Sequence, residues 1–232
     1  GNNDLKNFKI ISKIHGFQNF SDLQSKFELC LKQLGVRTLY GLMAHSVNEI
    51  VKNDSKWNDL LKLKENKKNL KIGISLYNSN ELDFLISNHF IPDIIQIPFN
   101  LFEIEFLKYL DFFKKNNIQI FSRSVFLQGI IFMQENKIPL KLSIFKPKLL
   151  KLKNICEKHE ISIVEAALGF VSKFNFIEGI IVGVETPKQL KLNLDALNIT
   201  LSEECFKELK SFTNTPPFFL NKVNRWKNRL TS

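Results

Sequence analysis

Lys13 stands near the end of a short apolar run, Ile10-Ile11-Ser12-Lys13-Ile14, whose other members would face an apolar interior. Burying an ammonium is costly unless it has a partner or a task. The plain alternative is a lysine reaching solvent from a strand end. His45 closes a second such run, Leu42-Met43-Ala44-His45-Ser46. A single histidine at a rim is ordinarily a hydrogen-bonded structural residue, but two such groups at the same end of neighbouring strands can converge on one carbonyl oxygen. Further runs end in the same way, with Ser75 in Gly73-Ile74-Ser75-Leu76, Gln96 in Gln96-Ile97-Pro98-Phe99-Asn100, and Arg123 beside Ser124. Hydroxyl, amide and guanidinium groups suit a ligand that carries a carboxamide and phosphates. Gly183 follows Ile180-Ile181-Val182 and precedes Thr186-Pro187, the start of a helix. A helix N-terminus offers N–H groups and positive potential to an anion.

The elements that must position these residues alternate from one end of the chain to the other. Short β-branched runs at residues 8–14, 38–45, 70–76, 93–98, 118–122 and 179–182 predict strands, and the amphipathic stretches between them predict helices. Leu23, Phe27, Leu31 and Leu34 recur at helical spacing behind a Ser21 N-cap, with Gly35 as the stop. Ser55 and Asn80 open further helices, and others are expected over 104–115, 149–159, 162–173, 186–197 and 202–212. The long connection at 125–147 interrupts the rhythm, and such lengths mark binding loops. Consecutive parallel strands with helical crossovers leave a doubly wound sheet or a TIM-type (β/α) barrel, both of which place function at the carboxyl ends of strands. None of the nine glycines forms GxGxxG, which favours the barrel. Six β/α units are legible, with an additional C-terminal helix, where a closed barrel needs eight, so the barrel is expected to be incomplete.

Composition narrows the class. With 44% hydrophobic and 24% charged residues, the 232-residue chain is globular and long enough for a core without staples; a single domain over residues 1–232 is the economical reading. Residues 216–232 form an irregular basic and aromatic tail. No apolar run approaches a membrane span, and no signal pattern opens the chain. Cys30, Cys156 and Cys205 are widely spaced without a CxxC, which argues against disulfides and a metal site and for a reducing cytoplasm. The net charge of +10 invites an anionic partner. Yet only four of thirty-three basic residues are arginine, and the lysines are spread among abundant Asn, Ile and Phe, a residue bias of AT-rich coding rather than a nucleic-acid face.

In ordered blocks, the sequence resembles the aldo-keto reductases. The blocks are 9–14, 42–46, 71–77, 95–100, the Ser122-Arg123-Ser124-Val125-Phe126-Leu127-Gln128-Gly129 segment, and 182–193. The Arg-Ser-Val-Phe-Leu-Gln-Gly segment is similar to a bacterial branch that accompanies sugar or surface-polysaccharide genes. The resemblance implies a (β/α)8 barrel that transfers a hydride from NADPH, or NADH, to a small aldehyde or ketone, with a Tyr general acid supported by Lys, Asp and His. Lys13 matches the lysine and His45 the histidine; Ser75 and Gln96 match holders of the nicotinamide carboxamide. Arg123 and Ser124 match positions at the nicotinamide ring and the start of a pyrophosphate-covering loop, and Gly183, Gln189 and Asn193 match the adenosine-phosphate end. Gln189 stands where an arginine often holds the 2′-phosphate, leaving NADP against NAD open, and Leu76 replaces a common asparagine.

The family's Asp and Tyr belong to a segment upstream of the Lys13 strand, where this sequence has Asp4 as its only acid and no tyrosine before Tyr40. The sequence therefore reads as N-terminally incomplete, lacking the first two β/α units, and reduction by this chain alone is expected to be severely impaired. Two strand edges would be left open. A second copy of the chain, the tail or an N-terminal fragment could cover them. The alternative function is a non-catalytic binding or assembly protein on a degraded barrel.

Overall fold

A computed structural model describes residues 7–51 and 55–214; Asp4 and the tail at 216–232 lie outside the described residues. The six expected strands form as β1 (Ile11–Ile14), β2 (Gly41–Ala44), β3 (Lys71–Ser75), β4 (Ile94–Pro98), β5 (Gln119–Arg123) and β6 (Ile177–Ile180). They follow chain order in the sheet, with parallel ladders from β1 through β4. Between and after them lie α1 (Phe20–Leu34), α2 (Asn48–Val51), α3 (Ser55–Asn66), α4 (Ser79–Ser87), α5 (Leu110–Lys115), α6 (Lys146–Lys158), α7 (Ile163–Ser172), α8 (Pro187–Leu197) and α9 (Glu203–Lys210). This is the α/β alternation expected from the sequence, with α9 as the additional helix.

Several boundaries differ for local reasons. The first strand begins at Ile11 rather than Phe8, whose side chain is 68% exposed. Asn19, not Ser21, caps α1 by accepting from Asp22 N, and Asn78, not Asn80, caps α4 by accepting from Glu81 N. Ser55 lies within α3 rather than ahead of it. The helix expected over 104–115 is a 3-10 turn at Glu105–Tyr109 followed by α5, and the last strand falls at Ile177–Ile180 rather than 179–182. The long connection folds into successive 3-10 turns, Leu127–Phe132, Glu135–Lys137 and Leu140–Phe145.

The chain resolves into two compact units, Gly1–Ile97 with Tyr109–Ile120, and Pro98–Lys108 with Phe121–Ser232. In the first, β2 is buried at every residue, while the neighbouring β1 is mostly half-buried or exposed. Leu23, Phe27 and Leu31 make the buried stripe of α1, four residues apart, so one helical face meets the core. Gly35 ends that helix at φ 65, a left-handed conformation that lets its N–H reach the last carbonyls. Gly73 has a second reason to be glycine: a Cβ there would stand 2.7 Å from the Ile94 carbonyl oxygen and 2.9 Å from Met43 Cγ.

The second unit is built on phenylalanine. Phe99 meets Phe174 and Phe176 edge-on at 4.9 and 5.3 Å, and Phe170 meets Phe174 and Phe206 at 5.3 and 5.4 Å. The edge-to-face pairs among these, those of Phe99 and the Phe170–Phe174 pair, add to simple area burial. α7 is buried from Ala166 to Val171 behind a Ser162–Glu165 capping box. β6 is only partly buried, and Leu190, Leu192, Leu194 and Leu197 of α8 are exposed.

Candidate active site

Register places the first group of polar residues. In a parallel ladder, partners in register share a face, and so do residues two apart. Lys13 is level with Met43, Met43 with Gly73, and Ser75 with Gln96. His45 lies two beyond Met43, and Ser75 two beyond Gly73, so His45, Ser75 and Gln96 belong to one layer at the carboxyl ends, directly above Lys13. The Lys13 ammonium reaches up into that layer and donates to Ser75 Oγ at 3.4 Å. Ser75 and Gln96 are buried, whereas Lys13 and His45 are exposed at the rim. The backbone N–H of His45 donates to the Ile14 carbonyl at 3.2 Å, which holds the two strand ends together past the last ladder residue.

His15 belongs to the same layer and was missed by the sequence reading. Its ring meets that of His45 edge-on at 5.5 Å, and its Nδ1 lies 2.6 Å from Glu49 Oε1. Glu49 also accepts from Gly16 N through its other oxygen at 3.0 Å. The usable signal was parity: His15 is two residues after Lys13, and alternation puts both on one face.

Tyr40 cannot serve this layer, because it precedes β2 at the opposite, amino end. Its hydroxyl donates to Gln119 Oε1 at 2.6 Å and accepts from Lys71 Nζ at 2.9 Å. Burial pushes the phenol up, but hydrogen bonds with Lys71 and Gln119 and the charges of Lys71 and Lys9 outweigh it and leave the phenol below its ordinary value. The Tyr109 hydroxyl is likewise engaged elsewhere, with Asp83 Oδ1 at 2.7 Å.

The second group lies in the other unit. Ser124, Gly183, Gln189 and Asn193 line one cleft of about 560 Å³, within the ~300–1,000 Å³ usual for small-molecule sites. Arg123 is not among its lining residues; its Nη1 donates to Ser124 Oγ at 3.1 Å. The loop over the cleft is held in left-handed backbone at Ser124 (φ 59), Leu127 (φ 47) and Gln128 (φ 56), followed by Gly129 (φ 90). Such conformations in non-glycine residues cost on the order of 1–3 kcal/mol each and cluster at ligand sites. A Cβ on Gly183 would meet nothing within 4 Å, so it would stand in the open cleft rather than against protein. Asn193, by contrast, is a buried amide on α8, where Ala196 is the other buried residue.

The start of α8, where an anion site was expected, is partly capped from within. Gln189 N donates to Thr186 Oγ1 at 3.2 Å, Glu185 N donates to Gln189 Oε1 at 2.7 Å, and Pro187 has no N–H. The sequence shows a capping Thr before Pro, but the return of the Gln189 side chain onto Glu185 is a tertiary detail.

A second missed residue is Glu103, 7% exposed in the second unit. Asn100 and Glu103 exchange backbone hydrogen bonds at 3.0 and 3.1 Å, and Asn100 Nδ2 lies 3.4 Å from Glu103 Oε2. Burial and, after it, the Glu105 carboxylate push Glu103 up to about 8, against the pull of Arg123. Elsewhere in this unit, His159, Glu204 and Glu208 converge, but the Lys158 ammonium lies 2.7 Å from Glu204 and 2.5 Å from Glu208 and already supplies the cation.

The described residues contain no helix long and apolar enough to cross a membrane. No curated protein matches the chain. Among solved structures it is similar to the aldo-keto reductase AKR11C1 from Bacillus halodurans in its holo form, with 13% identity and a TM-score of 0.71 over 93% of this chain and 75% of that one. It is also similar to MGS-M4, an aldo-keto reductase from a Medee basin deep-sea metagenome library (21%, TM-score 0.69, 93% and 75%). An aldo/keto reductase from Brucella melitensis matches with 23% identity and a TM-score of 0.63 over 87% and 71%. These likenesses show the fold, the α/β architecture of TIM-barrel enzymes. The family model described as the Aldo/keto reductase family matches residues 5–214, nearly the whole sequence, and the chain therefore belongs to that family.

Proposed function

We propose that this protein is a nicotinamide-dependent oxidoreductase acting on a small aldehyde or ketone at the carboxyl ends of its strands. The observation that carries the reading is the layer of His45, Ser75 and Gln96 with the Lys13 ammonium reaching into it. Family membership supplies the reaction class. A bound NAD(P)H would supply the hydride for the carbonyl carbon.

The chain's own residues would orient and polarise. The Lys13 ammonium stabilises negative charge as it builds on the carbonyl oxygen, and the His45 imidazole can direct an N–H to the same atom. Ser75 and Gln96, a buried hydroxyl and amide, suit the carboxamide. Within the second unit, the cleft lined by Ser124, Gly183 and Asn193 has a volume suited to a small polar ligand, and Gly183 leaves it open.

Proton delivery would be the weak step: the Tyr40 and Tyr109 hydroxyls are engaged away from this layer, and Tyr77, two residues beyond the end of β3, does not match the family's acid. A positioned acid is worth ~10²–10⁴-fold in rate. The test is titration of the 232-residue chain with NADH and NADPH by fluorescence, followed by aldehyde-dependent oxidation of the bound form. Saturable dinucleotide binding with slow oxidation is expected. Failure to bind either dinucleotide would overturn the reading, and binding without any carbonyl-dependent oxidation would mark a binding protein on the same fold.

A further inference from the structure

The His15 ring is held at one nitrogen and open at the other. Its Nδ1 lies 2.6 Å from Glu49 Oε1, and the second oxygen of that carboxylate is fixed by the Gly16 N–H at 3.0 Å. A carboxylate only accepts, so Nδ1 carries the hydrogen of this contact, and Nε2 is the nitrogen that takes up and releases a proton. The described residues offer Nε2 no hydrogen bond. The Glu49 side chain is 11% exposed and that of His15 76%. A carboxylate anchored in the protein body therefore orients an imidazole that stands in solvent. Val47 and Ile50, on either side of Glu49, are buried and fix the short helix α2 that carries it.

Position gives that nitrogen a use. His15 follows Lys13 by two residues, on the same face, and meets the His45 ring edge-on at 5.5 Å. An atom hydrogen-bonded to a ring nitrogen lies about 4 Å from the ring centre, so two rings at this separation can address one carbonyl oxygen. Glu49 of α2, Lys26 of α1, Lys56 of α3 and His45 meet the turn at residues 15–17. Lys26, paired with Asp22 at 3.6 Å, donates to the His15 and Gly16 carbonyls at 3.4 and 2.9 Å, and Lys56 lies 5.2 Å from the centre of the Phe17 ring. The two ammonium groups thus meet backbone oxygens and an aromatic face, while the carboxylate meets the His15 ring itself.

From this we infer that His15 is the proton donor for carbonyl reduction, with Glu49 as its positioning residue. The inference rests on the proposed oxidoreductase function and adds its acid. As the carbonyl carbon gains a hydride from the reduced dinucleotide, a C–H bond forms and the π pair of the C=O bond moves to oxygen. That oxygen takes the proton from Nε2 of the imidazolium, leaving an alcohol, the oxidised dinucleotide and a neutral imidazole still bonded through Nδ1 to Glu49. The exposed Nε2 recovers its proton from solvent. Imidazoles ordinarily change charge between about pH 5 and 8, so donation weakens as pH rises through that window.

The test compares the full chain with His15→Asn and Glu49→Gln, using NADH or NADPH and a simple aldehyde. The parent rate is expected to fall with rising pH across the neutral range. His15→Asn should bind dinucleotide as the parent does, run slower near pH 6 by about tenfold or more, and lose that decline. Independently of turnover, long-range ¹H–¹⁵N spectra of the unliganded chain should show Nδ1 of His15 keeping its proton while Nε2 titrates, an order that Glu49→Gln should abolish. A folded His15→Asn that reduces the aldehyde at the parent rate with the parent pH profile would overturn the assignment and leave the oxidoreductase reading standing. Spectra in which Nε2 keeps its proton and Nδ1 titrates would overturn it too. If the parent binds neither dinucleotide, or binds one without any carbonyl-dependent oxidation, the acid falls together with the reaction it serves.

Discussion

The Lys13 ammonium donates to Ser75 Oγ at 3.4 Å across sixty-two residues of sequence, passing over β2 between them. A hydrogen bond that long contributes little to stability, so its interest is positional: it sets a cation against a buried hydroxyl at the carboxyl end of the sheet. Ser75→Ala is expected to change unfolding free energy by less than ~1 kcal/mol while weakening dinucleotide binding. Lys13→Met should leave binding nearly intact and lower carbonyl-dependent turnover. Equilibrium denaturation alongside ligand titration separates the two effects.

Two glycines answer to different causes. At Gly73, an added methyl group collides with the backbone oxygen of Ile94 at 2.7 Å, so Gly73→Ala should destabilise the protein by roughly 1–3 kcal/mol, read from urea denaturation. At Gly183 an added methyl meets nothing within 4 Å. Gly183→Ala should leave stability close to the parent value and weaken dinucleotide binding, because its methyl projects into the cleft.

Glu103 gives stability a specific pH dependence. Its carboxyl is held at about 8 by burial, against an ordinary value of 4.5. Between those values the unfolded chain has lost the proton and the folded chain keeps it, so stability falls as pH rises across that window, by up to ~1.4 kcal/mol per pH unit from this group. Above about 8 the folded state ionises as well and the slope from this group vanishes. Glu103→Gln, which preserves an acceptor for Asn100, should flatten the decline. Denaturation midpoints of parent and variant across that pH range provide the measurement.

Tyr40 offers a control at the far end of the same sheet. Tyr40→Phe removes hydrogen bonds to Gln119 and from Lys71 and should cost about 1 kcal/mol of stability. It should leave dinucleotide binding and turnover unchanged, since the hydroxyl lies at the amino ends of the strands. In a spectrophotometric titration the variant should also lack the phenol that ionises below its ordinary value in the parent.

The strand and helix alternation was determined by the sequence, because β-branched runs and apolar residues at helical spacing are local patterns. Lys13, His45, Ser75 and Gln96 were legible as polar interruptions of apolar runs, although Gln96 falls in the middle of β4 rather than at its end. Boundaries were less legible: Asn19 took the cap of α1 from Ser21, a choice between two good acceptors that only backbone geometry could make. Register belonged to tertiary structure. Which residue of β1 faces which of β2 follows from ladder pairing, and only that pairing shows His15 in the layer of His45. Burial of Glu103 was hidden for the same reason: solvation depends on neighbours distant in sequence, and a carboxyl's affinity for its proton depends on solvation.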